Sequence, residues 1–215
     1  DSTKKTRLIP FEFSTTQTYI LEFGDQYMRV YKDKGQVLSG GSAFEISTPY
    51  LEAELFDIKF AQSADVLYLC HPNHDVRKLS RTGHTSWTLA TVSFSGSPSL
   101  PISGSNNRPS CVSFFEQRLV FANTNNNPQT LWFSKSGDYE NFTTGTNADD
   151  AMIYTIASNQ VNAIQYLKAV RTLIVGTSGG EFTVSADGTD AAITPTNVTI
   201  KRQSSFGSAK VDAIP

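Results

Sequence analysis

The chain has 215 residues, enough for one large β domain or two small ones. Hydrophobic residues make up 39% and charged residues only 18%, a balance that disfavours helix bundles and suits β structure with long polar loops. A net charge of −2 and a pI near 5.9 exclude the general basic footprint of a nucleic-acid-binding domain but leave room for a local basic patch.

Short segments of alternating apolar residues follow one another along the chain, with Gly, Pro, Asn and Asp between them. Thr18–Phe23 and Tyr27–Tyr31 flank a Gly-Asp turn, which predicts a hairpin. Leu51–Phe56 has helical propensity and predicts one or two helical turns. The strands predicted after it are Ile58–Ala61, Val66–Cys70, Arg77–Arg81, Trp87–Leu89, Val112–Phe114, Arg118–Ala122, Thr130–Ser134, Ala151–Ala157, Asn162–Leu167, Thr172–Gly176, Glu181–Ser185 and Val198–Arg202.

Two polar segments between these strands are predicted to be exposed. Ser93–Pro109 is rich in Ser, Gly, Pro and Asn and is expected to be a long connection with little to pack. Asn123–Pro128 is dense in turn formers and is expected to be an exposed loop that tolerates substitution.

A repeat organises the strands. Leu67, Leu119 and Leu173 occupy equivalent strands and are 52 and 54 residues apart. A period near 50 with three or four strands per unit is typical of β-propeller blades, because one small sheet buries both faces only by stacking between neighbours. The sequence therefore predicts an all-β, propeller-like fold with a period of about 52 residues, as part of a larger propeller.

Four segments follow from the repeat. Residues 1–50 are expected to form an opening segment and a first partial blade, 51–107 and 108–157 one blade each, and 158–215 a blade with a C-terminal strand. Because the chain starts at Asp1 and stops at Pro215 just after a strand, we expect a fragment of something longer. The best-preserved unit is 108–157. Its residues that should be buried between blades are Leu119, Phe121, Leu131 and Phe133.

Few residue patterns suggest chemistry. His71, His74 and Asp75 could contact a metal, although a polar loop is the simpler interpretation. Asp149 and Asp150, with Asp138 and Glu140 nearby, could offer oxygen ligands to Ca²⁺, but EF-hand spacing is absent and a solvated loop is expected instead. Cys70 and Cys111 are expected to be small buried side chains.

Neither a nucleophile elbow nor a phosphate-binding loop is present in the sequence, so no enzyme activity and no cofactor are predicted. No apolar run is long enough for a transmembrane helix. Local basic groups remain. Arg77 and Arg81 share one face of a predicted strand, and Lys201 and Arg202 end the last one, so these four could contact phosphates without reading sequence.

Ser134–Phe142 loosely resembles the Asp-box turn of sialidase propellers, with its Ser, a Gly and a closing aromatic, although the Asp follows the Gly instead of preceding it. This similarity and the aromatic content leave a carbohydrate-binding or sialidase-like propeller as the alternative function. A scaffold propeller of the WD or kelch kind is a third hypothesis, but the repeated signatures of those families are missing.

Long stretches of the chain resemble a family of phage virion proteins, the tail-nozzle proteins of short-tailed phages, also called tubular tail protein B or the packaged-DNA stabilisation type. They are RLIPFEFSTTQTYILEFGDQYMRVY, ELFDIKFAQSADVLYLCHP, RKLSRTGHTSWTL, FFEQRLVFANTNNNPQTLWFSKSGDYENF, LIVGTSGGEFTVS and ITPTNVTIKRQSSFGS.

The resemblance implies a structural virion component that is made in the host cytoplasm and located in the phage tail. It implies a homo-oligomer, a hexameric ring in this family, that meets adaptor, portal and tail-fibre proteins. Its channel would help to retain packaged DNA and then pass the genome into the host, with non-specific DNA contact. The family offers no catalytic motif, so no site is transferred.

Overall fold

A computed structural model describes residues 3–14, 17–96, 102–157, 160–188 and 191–211. The fold is all-β, with 54% strand and 3% helix, which confirms the predicted fold class at that level. The short helix is a 3₁₀ turn at Glu52–Asp57, where one or two helical turns were predicted. No helix among these residues is both long enough and apolar enough to cross a membrane.

Nineteen strands are described. Their bounds are β1 Arg7–Ser14, β2 Gln17–Gly24, β3 Tyr27–Lys32, β4 Gly35–Gln36, β5 Leu38–Ser39, β6 Ser42–Ala43, β7 Glu45–Ser47, β8 Lys59–Ser63, β9 Val66–His71, β10 His74–Gly83, β11 Ser86–Thr91, β12 Cys111–Phe115, β13 Arg118–Ala122, β14 Thr130–Phe133, β15 Met152–Thr155, β16 Ile164–Ala169, β17 Leu173–Thr177, β18 Gly180–Ala186 and β19 Val198–Ser204.

These strands form four main antiparallel sheets, each of which joins neighbours in the chain. The first sheet has the order β1-β2-β3-β4, with β7 also paired to β3. The second, third and fourth sheets contain β8–β11, β12–β15 and β16–β19, each in simple meander order. Leu67, Leu119 and Leu173 all lie in the second strand of their sheet and are fully buried, as the repeat predicts.

The chain divides into two compact units. The first comprises Asp1–Leu69 and Val76–Thr91, and the second comprises Cys70–Asp75 and Val92–Pro215. The core of the first unit is built by alternate residues of the first two sheets, such as Leu21, Val30 and Leu79. The core of the second unit lies between the third and fourth sheets, around Phe133 and Val175.

The two central strands of the third sheet, β13 and β14, are buried on both faces. Leu131 and Phe133 belong to the core shared with the fourth sheet. Leu119 and Phe121 alternate with them across the register and are equally inaccessible to solvent, so all four predicted core residues are confirmed as buried. Every residue of Arg118–Ala122 is buried, which is unusual for a strand of a small antiparallel sheet.

Cys70 and Cys111 are free and buried, as predicted. Burial raises the pKa of the Cys70 thiol well above its ordinary value, because the interior disfavours the thiolate. Both residues thus act as small apolar side chains.

The prediction that Ser93–Pro109 has little to pack is wrong for several of its residues. Phe94 contacts Phe121 and Phe142 in edge-to-face pairs with ring centroids 5.5 and 5.3 Å apart. Ile102 and Pro109 are buried. Residues 97–101 of this connection lie outside the described part of the chain.

The Asn123–Pro128 loop is also less exposed than predicted. Only Asn125 and Asn126 are exposed, whereas Thr124 is buried. Asn123 has a left-handed backbone with φ 61°, and its Nδ2 donates to the Ile164 carbonyl at 2.7 Å. The loop therefore ties the third sheet to the start of the fourth.

We expect Asn123→Ala to lower the free energy of unfolding by about 1–2 kcal/mol. The substitution leaves the partly buried Ile164 carbonyl without its amide donor. It also places alanine, which has no polar side chain to stabilise a left-handed backbone, at a positive φ. Denaturant unfolding measures the change. The matched control, Asn125→Ala, should stay within about 0.5 kcal/mol of the parent. Equal effects of the two substitutions would show that the Ile164 contact does not stabilise the loop.

Two glycines on sheet faces are covered by tyrosine rings from the neighbouring strand. A Cβ on Gly24 would lie within 3 Å of the Tyr27 ring, and one on Gly176 would lie within 3 Å of the Tyr166 ring. Gly24 is directly opposite Tyr27 in the register, and Gly176 is directly opposite Tyr166. In both pairs the tyrosine hydroxyl donates to a glutamate, Glu22 or Glu181. The rings compensate for the missing side chains.

Candidate nucleic-acid interface

Arg81 is held within the first unit. Its Nη1 donates to Asp65 Oδ1 at 2.8 Å, and its side chain is only 8% exposed. The guanidinium also lies over the Phe13 ring at 3.9 Å. The described contacts of Arg81 therefore serve the fold, and phosphate contact by Arg81 stays a prediction.

Arg77 lies on the same face of β10 as Arg81 and the fully buried Leu79, as the period of two predicts. It is partly buried, and its Nε is enclosed without a hydrogen-bond partner among the described residues. The row that these residues form therefore borders the core of the first unit. Phosphate contact by Arg77 stays a prediction.

Lys201 and Arg202 are exposed on β19 but project to opposite faces of the fourth sheet. Lys201 is opposite Thr183, on the face that points away from the core, whereas Arg202 is opposite the core residue Phe182. Arg202 donates from Nη2 to the Gly179 carbonyl at 2.8 Å and from Nε to the Ser204 carbonyl at 3.0 Å. Because the two side chains project to opposite faces, a phosphate on one face of the sheet cannot contact both of them equally.

Two further basic residues accompany Lys201 and were not singled out from the sequence. Lys168 on β16 lies in the same cross-strand row, Lys168–Ile174–Thr183–Lys201. Arg171, in the turn after β16, lines a cavity of about 660 Å³ together with Lys201, Glu116 and Asp187. Single basic residues far apart in the sequence form no recognisable motif, and the proximity of Lys168 and Lys201 follows only from the pairing register of the strands. The mixture of charges makes this a weak electrostatic site for phosphate.

A buried arginine donates hydrogen bonds to backbone carbonyls at and near the turn that resembles an Asp-box. Arg118 Nη1 donates to the carbonyls of Ser134 and Asp150, both at 2.7 Å, and Nη2 donates to the carbonyl of Ala148 at 2.6 Å. The side chain is about 2% exposed, and burial lowers its pKa. Phe142 closes the turn and is buried. The arrangement fixes a loop and offers no reacting group.

The carboxylates considered as calcium ligands are engaged by a lysine. Lys135 Nζ lies 3.0 Å from Asp150 Oδ1 and 3.4 Å from Asp149 Oδ2. Asp138 accepts from the Asn141 amide at 3.0 Å. The ammonium group of Lys135 thus pairs with both carboxylates, and calcium binding here stays a prediction. Asp150 is only 8% exposed, so the loop is less solvated at that residue than predicted.

The Lys135 hydrogen bond, followed by the Asn147 backbone N–H, lowers the pKa of Asp150 below its ordinary value of 3.8. A depressed carboxyl pKa adds stability that is present above the unfolded-state value and is lost as the pH falls through the folded-state value. We therefore expect acid destabilisation between roughly pH 5 and pH 2 to be shallower in Asp150→Asn than in the parent.

Urea midpoints across this pH range measure the slope. Asp187→Asn, a change of an exposed carboxylate in the same unit, is the control and should retain the slope of the parent. Parallel curves for the parent and Asp150→Asn would show that this ion pair does not contribute to acid stability.

The His71–Asp75 loop has several hydrogen bonds among the described residues, and metal binding there stays a prediction. The His71 Nδ1 accepts from the Asn73 N–H at 3.1 Å, and the His71 and His74 rings are 5.1 Å apart. Asp75 Oδ1 accepts from Arg108 Nε and from the Gly104 N–H, both at 3.0 Å. Asp75, the carboxylate that follows the two histidines in the sequence, is therefore paired with Arg108.

Comparisons with known proteins add no identity. No protein-family model matches the chain, and no curated protein matches it at a significant level.

Proposed function

We propose that this chain is a non-enzymatic structural component of a phage tail nozzle, in which its sheets serve as blades of a propeller-like domain. The observation that carries the proposal is the succession of three four-stranded antiparallel meanders at near-equal spacing, together with a first sheet of similar connectivity. One face of the third sheet packs on the fourth sheet, as neighbouring blades would. On its other face, Phe121 packs against Phe94 and Phe142.

The proposed role is mechanical. The chain acts as a homo-oligomer, a hexameric ring by resemblance, and contacts adaptor, portal and tail-fibre proteins in the virion. The ring helps to retain packaged DNA and forms a channel for genome ejection. Sparse basic side chains such as Lys201 suit this task, since a channel that releases DNA needs weak, sequence-independent and salt-sensitive phosphate contacts.

The test is to locate the protein in particles. Mass spectrometry of purified virions is expected to detect peptides of this chain in stoichiometric amounts, and electron microscopy is expected to place its density in the distal tail. Absence of the chain from infectious purified particles would overturn the proposal.

A carbohydrate-binding propeller is the second candidate, and the turn at Ser134–Phe142 favours it. This turn has Gly137 at φ 74° and a bridge between Lys135 and Asp138, and it ends on a buried aromatic. A glycan array and a sialidase assay on the purified chain separate the two candidates. Specific glycan binding without incorporation into virions would favour the second.

A further inference from the structure

β19 is the last strand of the fourth sheet, and its outer edge has no neighbouring strand among the described residues. It is seven residues long, second only to β1 among the strands that end a sheet. The chain then turns away from this edge, because the N–H of Ser208 donates to the carbonyl of Thr177 at the end of β17 at 2.8 Å. An edge of this length presents a row of main-chain donors and acceptors that a strand of another molecule can pair with.

The edge of β1, the longer of these two strands, is engaged by other parts of its own unit. The side-chain amide of Gln62 accepts from the N–H of Glu12 at 3.1 Å and donates to the carbonyl of Glu12 at 2.8 Å. No side chain binds the main chain of residues 198–203 of β19 in a comparable way within the described part of the chain. Any protection of β19 against pairing must therefore come from its own side chains.

The first half of β19 is well suited to pairing, and the second half is not. Val198, Thr199 and Ile200 are β-branched, a class of residue that strands favour. Lys201 and Arg202 follow at once, are both exposed and project to opposite faces of the sheet. A strand added to this edge would therefore have a cation beside it on each of its two faces.

Neither cation is neutralised by the contacts that the structure describes. Lys201 lines the same cavity as Glu116 and Asp187, but it forms no ion pair with any described residue. Arg202 donates to the carbonyls of Gly179 and Ser204, which are neutral acceptors and leave its positive charge in place. Both charges thus remain to act on a neighbouring molecule.

We propose that Lys201 and Arg202 keep the outer edge of β19 from pairing with the same edge of a second copy of the chain. Two such edges that meet about a two-fold axis run antiparallel, and Lys201 is the central residue of the strand. In every register that pairs most of the strand, cations of one copy then lie directly opposite or diagonal to cations of the other. Like charges at these cross-strand positions are destabilising.

This role goes beyond the proposed function and restricts it. A homo-oligomer of the chain would join its copies through surfaces other than the outer edge of the fourth sheet. The role also suits the opposite directions of Lys201 and Arg202, which disfavour a shared phosphate but place one charge on each face of an incoming strand. Propeller blades need such protection, because their outer strands remain sheet edges after the blades have stacked.

The experiment removes both charges in the variant Lys201→Thr/Arg202→Thr, in which threonine retains the preference for a strand. Sedimentation velocity is expected to show self-association at least about tenfold stronger than that of the parent, because the like-charge contacts between the edges are gone. Hydrogen exchange followed by mass spectrometry is expected to show new protection of the β19 amides. The loss of two positive charges takes the formal net charge from −2 to −4, so general repulsion between copies acts in the opposite direction.

A cation returned to another position of the same strand should reverse the effect. Gln203 is exposed and lies on the same face as Lys201, so Gln203→Lys added to the double variant should bring association back toward that of the parent. Lys201→Thr alone, which keeps the hydrogen bonds of Arg202, should show a smaller increase than the double variant.

Two controls separate edge pairing from other causes of association. Lys5→Thr with Lys210→Thr removes the same charge from exposed positions outside β19 and should leave association unchanged. Leu119→Ala destabilises the second unit but keeps both cations, so it should give no new protection of the β19 amides.

Unchanged association of the double variant, association without protection of β19, or failure of Gln203→Lys to reverse the effect would each overturn the inference. Equal association of the Lys5→Thr/Lys210→Thr control would overturn it as well. Loss of binding to a short DNA duplex by the double variant, with parent-like association, would assign the two cations to phosphate instead. The presence of the chain in virions is measured separately, so this inference can fail while the proposed function stands.

Discussion

Arg118→Met is expected to lower the free energy of unfolding by about 3–5 kcal/mol. The methionine keeps much of the buried aliphatic volume but removes every donor. The carbonyls of Ser134, Ala148 and Asp150 then lose a charged partner in a place that water reaches poorly. Each buried carbonyl without a donor costs about 1–3 kcal/mol.

Urea unfolding followed by circular dichroism measures the loss. Arg118→Lys should recover part of it, because an ammonium group restores a charge but not the two-pronged geometry of the guanidinium. Lys201→Met, which removes an exposed cation from the same unit, should stay within about 0.5 kcal/mol of the parent. A small effect of Arg118→Met would mean that water replaces the guanidinium readily.

Leu119→Ala is expected to cost about 2–5 kcal/mol. Leu119 is fully buried, and it lies on the other face of the third sheet from Leu131. Truncation therefore removes apolar contacts and leaves a cavity that a rigid sheet fills poorly. Its backbone N–H donates to Ser134 Oγ at 2.9 Å, and that bond should survive the substitution.

Thermal and urea unfolding of Leu119→Ala give the magnitude. Val170→Ala truncates a 55% exposed side chain in the same unit and should be nearly neutral. A loss below about 1 kcal/mol at Leu119 would indicate that neighbouring side chains collapse into the space.

The strands could be read from the sequence because each is marked locally. Alternation such as that of Arg118–Ala122 and turn formers such as Gly24-Asp25 act over a few residues, and the spacing of Leu67, Leu119 and Leu173 exposes the repeat. Burial in the loops could not be read in this way. Thr124 is buried although it lies among asparagines, and the local sequence gives no pattern from which this burial could be predicted.

The basic residues show the same limit at the candidate site. Arg118 appears in the sequence as an ordinary strand residue, because the carbonyls that it binds come 16 to 32 residues later. Arg81 is likewise paired with Asp65, 16 residues before it. The opposite directions of Lys201 and Arg202 follow from strand period alone, but only the register adds Lys168 to the face of Lys201.

The positions of the two tryptophans make the compact units separately observable. Trp87 belongs to the first unit and donates its indole N–H to the His84 carbonyl, whereas Trp132 is fully enclosed in the second. The chain has no other tryptophan, so the fluorescence of Trp87→Phe reports the second unit and that of Trp132→Phe reports the first. Comparison of the two emission transitions then shows whether the units melt as one cooperative body or in succession.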